Sequence, residues 1–327
     1  MKTDMATNRI QSLDVIKITA MLMVLMLHVN VFKDWSGTGN TEAYYALAGI
    51  AIPLFFMTSG YLMANKQTDW KYAARKIWGI LRFTLIICLT IYAIDYVTYG
   101  KAHFQFPECY IQRGGLAVFW YFGAMIIIYA FLPLLQRIIN SRKLLLPSII
   151  FLVVFGNIIF VANHWGFEGR HPWQTFRLHY WFLYFLIGAY IRRNPACIGR
   201  IRLWWIIPAA FLYGLFYHLG IVITGIEHYF GSLPCMAYAF ITFGALLKLP
   251  IHDSKAITRL SATFLPVYAF HWFFLQKCFH NDPFYTINNT MHLLPATAID
   301  YVITVAVMLT FGLLIMRLPY ADKIFRV

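Results

Sequence analysis

The run Leu13-Asp14-Val15-Ile16-Lys17-Ile18-Thr19-Ala20-Met21-Leu22-Met23-Val24-Leu25-Met26-Leu27-His28 decides the fold class. It is too long and too apolar for a strand, and only Asp14, Lys17 and His28 are ionisable within it. A spanning helix needs about 20 mostly apolar residues. An ionisable residue at its centre costs about 2.5–3.5 kcal/mol on insertion scales, so it faces protein or water and marks a site. Lys17 and His28 are eleven residues apart, which on an α-helix is three turns plus about 20°, and about 16 Å. Asp14 falls within about 60° of both. One helix face would then carry a polar stripe from one membrane boundary to a histidine in the opposite half. The plainer alternative is that Lys17 snorkels to the boundary and His28 caps the outer end, but that leaves the shared face without a reason.

The rest of the chain has the same character. Of 327 residues, 60% are hydrophobic and 12% charged, against about 45–50% and about 25% in soluble domains. Disorder is excluded by that hydrophobicity, and a soluble enzyme would lack surface charge. Aromatic residues reach 18%, with 10 Trp and 21 Tyr, as suits bilayer interfaces. Ten stretches are long and apolar enough to span: Val15–Phe32, Tyr44–Ala64, Ile77–Tyr99, Leu116–Gln136, Leu144–Asn163, Phe176–Ile191, Leu203–Gly220, Phe230–Leu249, Leu260–Phe279 and Leu294–Arg317. The first lacks a small-residue cleavage site, so it is not a removed signal peptide.

The net charge of +14 would suggest nucleic acid in a soluble protein; here it sorts by side. With the N-terminus cytoplasmic, alternate connectors place 19 of the 27 Lys and Arg residues inside and 6 outside, with Lys17 and Arg82 within spans. That asymmetry follows the positive-inside rule and puts both termini in the cytoplasm. No connector is long enough for a soluble domain. The expected fold is therefore one all-α integral membrane bundle over residues 1–327, with about ten transmembrane helices. The five cysteines have no metal-binding spacing and read as small core residues; no metal is expected.

Other polar residues fall within or beside the spans. Arg75 and Lys76 precede the third, and Arg82 lies about two turns deeper on the face of Arg75. Arginine forks suit phosphate, although topogenic snorkelling explains Arg75 and Lys76 equally well. His271 sits near the middle of the ninth span with Tyr268 at i, i+3. His179, His218, Asp95 and Asp300 lie towards outer ends, where a satisfied interhelical hydrogen bond is the ordinary reading. There is no P-loop, HExxH or GxSxG element. Cations inside and a buried imidazole outside suit group transfer from a phosphorylated cytoplasmic donor to an acceptor across the membrane, with a histidine base worth about 10²–10⁴-fold.

Four elements carry a family resemblance: Leu13-Asp14-Val15-Ile16-Lys17 followed by His28; Phe55-Phe56-Met57-Thr58-Ser59-Gly60-Tyr61; Trp120-Tyr121-Phe122…Tyr129…Pro133-Leu134; and Leu260-Ser261…Tyr268-Ala269-Phe270-His271. In this order they resemble the membrane-bound acyltransferase family 3. The chain departs from the family's pattern in two places. Lys17 stands where arginine is common, and Arg75-Lys76 is followed by Arg82 with no proline. The resemblance implies an O-acyltransferase, of the short type without a fused extracytoplasmic domain, in the cell (inner) membrane. It would move an acyl group, commonly acetyl from acetyl-CoA, to a hydroxyl of a surface glycan or lipid-linked saccharide, with no nucleic-acid partner. It implies His28 as the catalytic base or transient acyl acceptor. It also implies Lys17 and Asp14 at the cofactor end, Arg75, Lys76 and Arg82 on CoA phosphates, and Trp120, Tyr121, Tyr268 and His271 at the acceptor or acyl site. Ser59 and Gly60 have a strong packing alternative, because small residues let helices approach. Three other classes remain: a transporter or flippase for a lipid-linked sugar or small anion, a polyprenyl-phosphate-dependent glycosyltransferase (for which Asp34 and Glu42 are a weak acidic match), and a structural membrane subunit.

Overall fold

The computed structural model describes residues 9–34, 47–164, 173–218, 229–279 and 293–325. Glu42 and the 280–292 connector lie outside them. Regular structure among the described residues is helical throughout. In chain order the helices are α1 (Gln11–Asp34), α2 (Ala51–Met63), α3 (Trp70–Tyr99), α4 (Trp120–Ala130), α5 (Leu132–Asn140), α6 (Arg142–His164), α7 (Leu178–Arg193), α8 (Ile206–His218), α9 (Leu233–Leu247), α10 (Lys255–Ala262), α11 (Phe264–Phe279), α12 (Leu293–Ile315) and the short α13 (Ala321–Ile324).

Every apolar stretch named above falls on a helix or a pair of helices, but their lengths differ from a uniform set of spans. Among the described residues, four helical segments are long and apolar enough to cross a membrane alone: Gln11–Val29, Trp70–Tyr99, Arg142–Ala162 and Ala298–Ile315. The expected fourth span is divided, with Ala117–Ala130 and Leu132–Asn140 meeting at 65°, the geometry of a broken span or a re-entrant loop. Pro133, in the first turn of α5, has no N–H to continue α4, and its fixed φ suits a new helix start. The ninth stretch divides likewise at Thr263, with Pro266 in the first turn of α11. α3 starts at Trp70, earlier than the apolar pattern, because Asp69 caps it by accepting from the Tyr72 N–H at 2.7 Å. At 30 residues α3 is about 45 Å long, so its first turns project beyond a hydrocarbon core of about 30 Å and carry Arg75 and Lys76 with them. The expected start at Ile77 is corrected by that cap.

Burial separates the centre of the bundle from its rim. Of the best window in α1, 56% is buried, against 17% in α6. α1 packs on α2, α9, α10, α11 and α12. α6 turns Leu146, Ile150, Phe151, Val154 and Ile158 outward, and α12 turns Val302 and Leu314 outward. Apolar faces of that extent match a hydrocarbon solvent, and the described residues form an all-helical bundle of the kind a membrane protein has.

The tightest crossing joins α2 to α7. Gly60 faces the Phe185 carbonyl, and Gly188 faces the Met57 carbonyl. This bears out the packing alternative for Gly60 and adds its counterpart on α7.

Side-chain bonds also gather the connectors into two ends. Arg193 reaches the Ala64 carbonyl at 2.9 Å and the Asn140 side chain. Lys248 donates to the carbonyls of Gly199 and Ile201 at 2.6 and 2.7 Å. Gln11 bonds Thr258 at 3.0 Å, and Arg82 donates to the Lys323 carbonyl at 2.9 Å. The cation-rich connectors thus share one end. At the other, Thr175 donates to the Tyr110 carbonyl, the Gln174 N–H to Gln112 at 2.5 Å, and Tyr184 to the Phe230 carbonyl at 2.8 Å.

Candidate functional site

At the cationic end, Asp14 is buried. It accepts from Arg9 Nε at 2.5 Å and from Ser261 Oγ at 2.8 Å, and lies 3.7 Å from Lys17 Nζ. The carboxylate ties the start of α1 to α10 and holds Lys17 beside it. Its acidic oxygens are already engaged, so Asp14 sets the position of Lys17 and does not itself enter the neighbouring cavity. Asp14→Asn keeps the shape but removes the charge from three contacts, one of them buried. The expected result is a loss of about 1–3 kcal/mol, read as a lower thermal unfolding temperature of the detergent-solubilised protein; an unchanged temperature would refute this anchoring role.

Lys17 opens onto a cavity of about 350 Å³, whose lining includes Lys17, Lys66 and Lys76 with Thr58, Ser59, Tyr121, Tyr129 and Ser261. Its apolar wall is Phe55, Ile80, Phe122, Met125, Phe264 and Leu265, with Phe325 from the residues after α13. Ligand pockets run from about 300 to 1,000 Å³, so this one holds part of a large ligand: three ammonium groups for an anionic portion, and an aromatic interior for an uncharged one.

An aromatic layer separates this cavity from the opposite half. Phe55 lies 4.6 Å from Phe264 and 6.0 Å from Tyr121 between ring centroids. Tyr268 lies 5.8 Å from Phe264 and 5.9 Å from Tyr121. The Tyr268 hydroxyl donates to the Val118 carbonyl at 2.5 Å, which fixes the ring under the residues that start α4.

Beyond that layer stand two imidazoles. His28 and His271 have ring centroids 4.8 Å apart, and Trp272 meets His28 edge-on at 5.0 Å. His271 is fully buried, and its Nδ1 is 2.8 Å from the Tyr268 carbonyl. A carbonyl only accepts, so Nδ1 carries the hydrogen and Nε2 of the neutral ring presents a lone pair. Among the described residues no partner reaches His271 Nε2 or His28 Nδ1. Buried polar atoms without partners are rare and need a reason. The two rings are neighbours, tilted 40° to each other, and the bare nitrogen of a neutral imidazole can accept a proton.

The expected site residues therefore divide. Lys17, Lys76 and Tyr121 line the cavity, and Tyr268 and His271 adjoin His28. Arg75 is exposed and bonds back to the Lys71 carbonyl at 3.4 Å. Arg82 is exposed as well, and latches the C-terminal segment through Lys323. Neither lines the cavity. Trp120 is packed against Trp181 at 5.1 Å and is not among the residues lining the cavity. Sequence reasoning passed over Lys66, counted only as a connector charge, and Trp272, although it directly follows His271. The aromatic layer had no signal of its own, because Phe55 and Phe264 resemble any core phenylalanine until their neighbours are known. Among the described residues no group of three His, Cys, Asp or Glu could hold a metal.

A half-buried and a fully buried imidazole stand side by side, and a lysine-lined cavity lies on the same helix bundle. A family model described as an acyltransferase domain (acyltransferase family 3) matches residues 10–317, nearly the whole chain. The chain belongs to that family. A similar curated protein is an amino-acid racemase from Enterococcus faecalis, 25% identical over 210 residues that cover 56% of this chain and 28% of that protein. The chain thus spans less than a third of that relative. No solved structure matches.

Proposed function

We propose that the chain is an O-acyltransferase that moves an acetyl group from cytoplasmic acetyl-CoA to a hydroxyl of an extracytoplasmic or lipid-linked surface glycan. In this reading the bundle crosses the cell (inner) membrane about ten times, with both termini cytoplasmic. The observation that carries it is the arrangement along α1: Lys17 in a cationic cavity at one end, and His28 against His271 near the other. Lys17, Lys66 and Lys76 would hold the donor's phosphates, and the aromatic wall its uncharged arm, which supplies the activated thioester. The imidazole pair binds the acceptor hydroxyl and takes its proton as the oxygen attacks the acyl carbon. The same imidazolium then returns a proton to the departing thiolate. The aromatic layer keeps water from the thioester; Phe55, Phe264 and Tyr121 must part for the acyl group to meet the histidines.

The direct test is the purified protein in vesicles with radiolabelled acetyl-CoA and a panel of surface glycans. Label on a glycan hydroxyl is the expected result. Passage of a lipid-linked saccharide across the vesicle without turnover of the donor would mean a flippase instead. In the same assay Lys66→Met and Lys76→Met each remove one charge-assisted phosphate contact, about 1.5–3 kcal/mol. Each is expected to raise KM for the donor by about 10–100-fold with kcat nearly constant; a fall in kcat alone would exclude these lysines from donor binding.

A further inference from the structure

The far end of the chain supplies part of the wall of the lysine-lined cavity. Phe325, beyond the end of α12, lines it together with Lys76, Ile80 and Phe122. Two contacts from α3 hold that end in place. Arg82 donates from Nη2 to the Lys323 carbonyl at 2.9 Å. The fully buried Phe83 meets the Phe325 ring edge-on, with centroids 5.8 Å apart, and packs edge-on against Phe122 at 5.3 Å. Lys76, Ile80 and Phe83 fall at i, i+4 and i+7, so one face of α3 both lines the cavity and clasps Phe325. Within the segment, Tyr320 takes a φ of 69°, a left-handed turn uncommon outside glycine, and leads into α13. Ala321 is buried there, and its carbonyl accepts from the Phe325 N–H at 2.9 Å. The Lys323 carbonyl is among the last of that short helix, which have no intrahelical partner; Arg82 supplies the donor.

We infer that Phe325 is a donor-binding residue and that Arg82 is the residue that positions it. This rests on the donor site proposed above. Phe325 adds an apolar contact to the donor's uncharged arm while Lys17, Lys66 and Lys76 hold the phosphates. Arg82 carries a full charge yet acts without touching the donor, because its guanidinium is engaged by a carbonyl of the chain's own C-terminal segment. Loss of that hydrogen bond leaves the Phe83 ring contact as the hold of α3 on Phe325, and the aromatic side chain can then leave the wall. Donor binding is thereby joined to the end of the chain: Lys17 on α1, Lys76 on α3 and Phe325 meet at one cavity from three separate parts of the sequence.

The test uses the full chain purified in detergent and radiolabelled acetyl-CoA with no acceptor present, so that binding is read apart from transfer. Phe325→Ala is expected to raise the Kd for acetyl-CoA about 10-fold, the scale of one partly buried aromatic contact. In the vesicle assay KM should rise in step, with kcat nearly constant. Arg82→Met should raise the Kd by about 3–10-fold. Arg82→Lys, whose ammonium can still donate to the Lys323 carbonyl, should restore most of the affinity. Because Arg82 acts through Phe325, Arg82→Met combined with Phe325→Ala should bind no more weakly than Phe325→Ala alone; multiplied losses would overturn the positioning role. Arg82 is exposed and Phe325 half-buried, so the variants should fold, and the unfolding temperature of each checks this. If Phe325→Ala does not fold, Phe325→Leu, which keeps an apolar side chain, carries the test with a smaller rise in Kd. An unchanged Kd in the folded Phe325 variant would overturn this inference and leave the donor site standing. Failure of the unsubstituted protein to bind acetyl-CoA would overturn both.

Discussion

His28→Ala is expected to lower acyl transfer by about 10²–10⁴-fold, the range of a positioned general base, while the protein inserts and folds normally. Folding should survive because the described contacts of His28 are ring contacts with His271 and Trp272, and Nδ1 gives up no hydrogen bond when it is removed. The loss should fall on kcat, since donor binding is assigned to Lys17, about 16 Å away along α1, and to Lys66 and Lys76, which line the same cavity as Lys17. His271→Ala should act in the same direction. Its Nδ1–H bond to the Tyr268 carbonyl would be lost too, so His271→Asn, which can keep a donor near that carbonyl, is the better variant. In the proposed mechanism both imidazoles serve one acceptor hydroxyl, so the double variant should lose little more than the worse single one, as happens when residues act as a unit. Multiplicative losses would mean two separate tasks. Full transfer by a well-inserted His28→Ala protein would refute the base assignment.

How much of this was legible in the sequence depends on the range of the interactions involved. α1 was readable, because its stripe is a property of one helix: eleven residues fix the angle between Lys17 and His28 wherever the helix sits. The meeting of His28 with His271 was not, since they are 243 positions apart in the sequence and nothing in either segment specifies the other. Asp14 shows a mixed case. Its place on the stripe was visible, but its bond to Ser261 turns it from a ligand group into an anchor. Arg82 shows that depth along a helix does not determine a partner: it donates to the Lys323 carbonyl and is not among the residues that line the lysine-lined cavity. Helix breaks at Phe131 and Thr263 were signalled by Pro133 and Pro266, but hydropathy averages pass over them.

Gly188→Ala and Gly60→Ala are expected to prevent recovery of folded protein, the largest structural effect in the chain. A Cβ at Gly188 would overlap the Met57 carbonyl, and one at Gly60 would overlap the Phe185 carbonyl. The obstacle in each case is backbone, which cannot swing aside as a side chain can, so the helices must separate. Overpacking commonly costs about 1–3 kcal/mol and sometimes more. Separating α2 from α7 adds the loss of contacts along the closest helix pair, including the stacking of Phe56 on Trp181 at 4.9 Å. In lipid this loss is severe, since packing between small residues, rather than water exclusion, holds helices together. The two glycines guard one crossing, so the double variant should cost less than the two singles combined. Gly214→Ala supplies the control. It makes the same chemical change in α8, where a Cβ meets nothing within 4 Å, and should be neutral or slightly stabilising because alanine favours the helix by up to about 1 kcal/mol. The measurement is the monodisperse fraction and unfolding temperature of each detergent-solubilised variant. If Gly188→Ala matched Gly214→Ala, the α2–α7 crossing could not be as close as the structure shows, and Phe55, Thr58 and Ser59, which α2 carries into the cavity wall, would have to be placed anew.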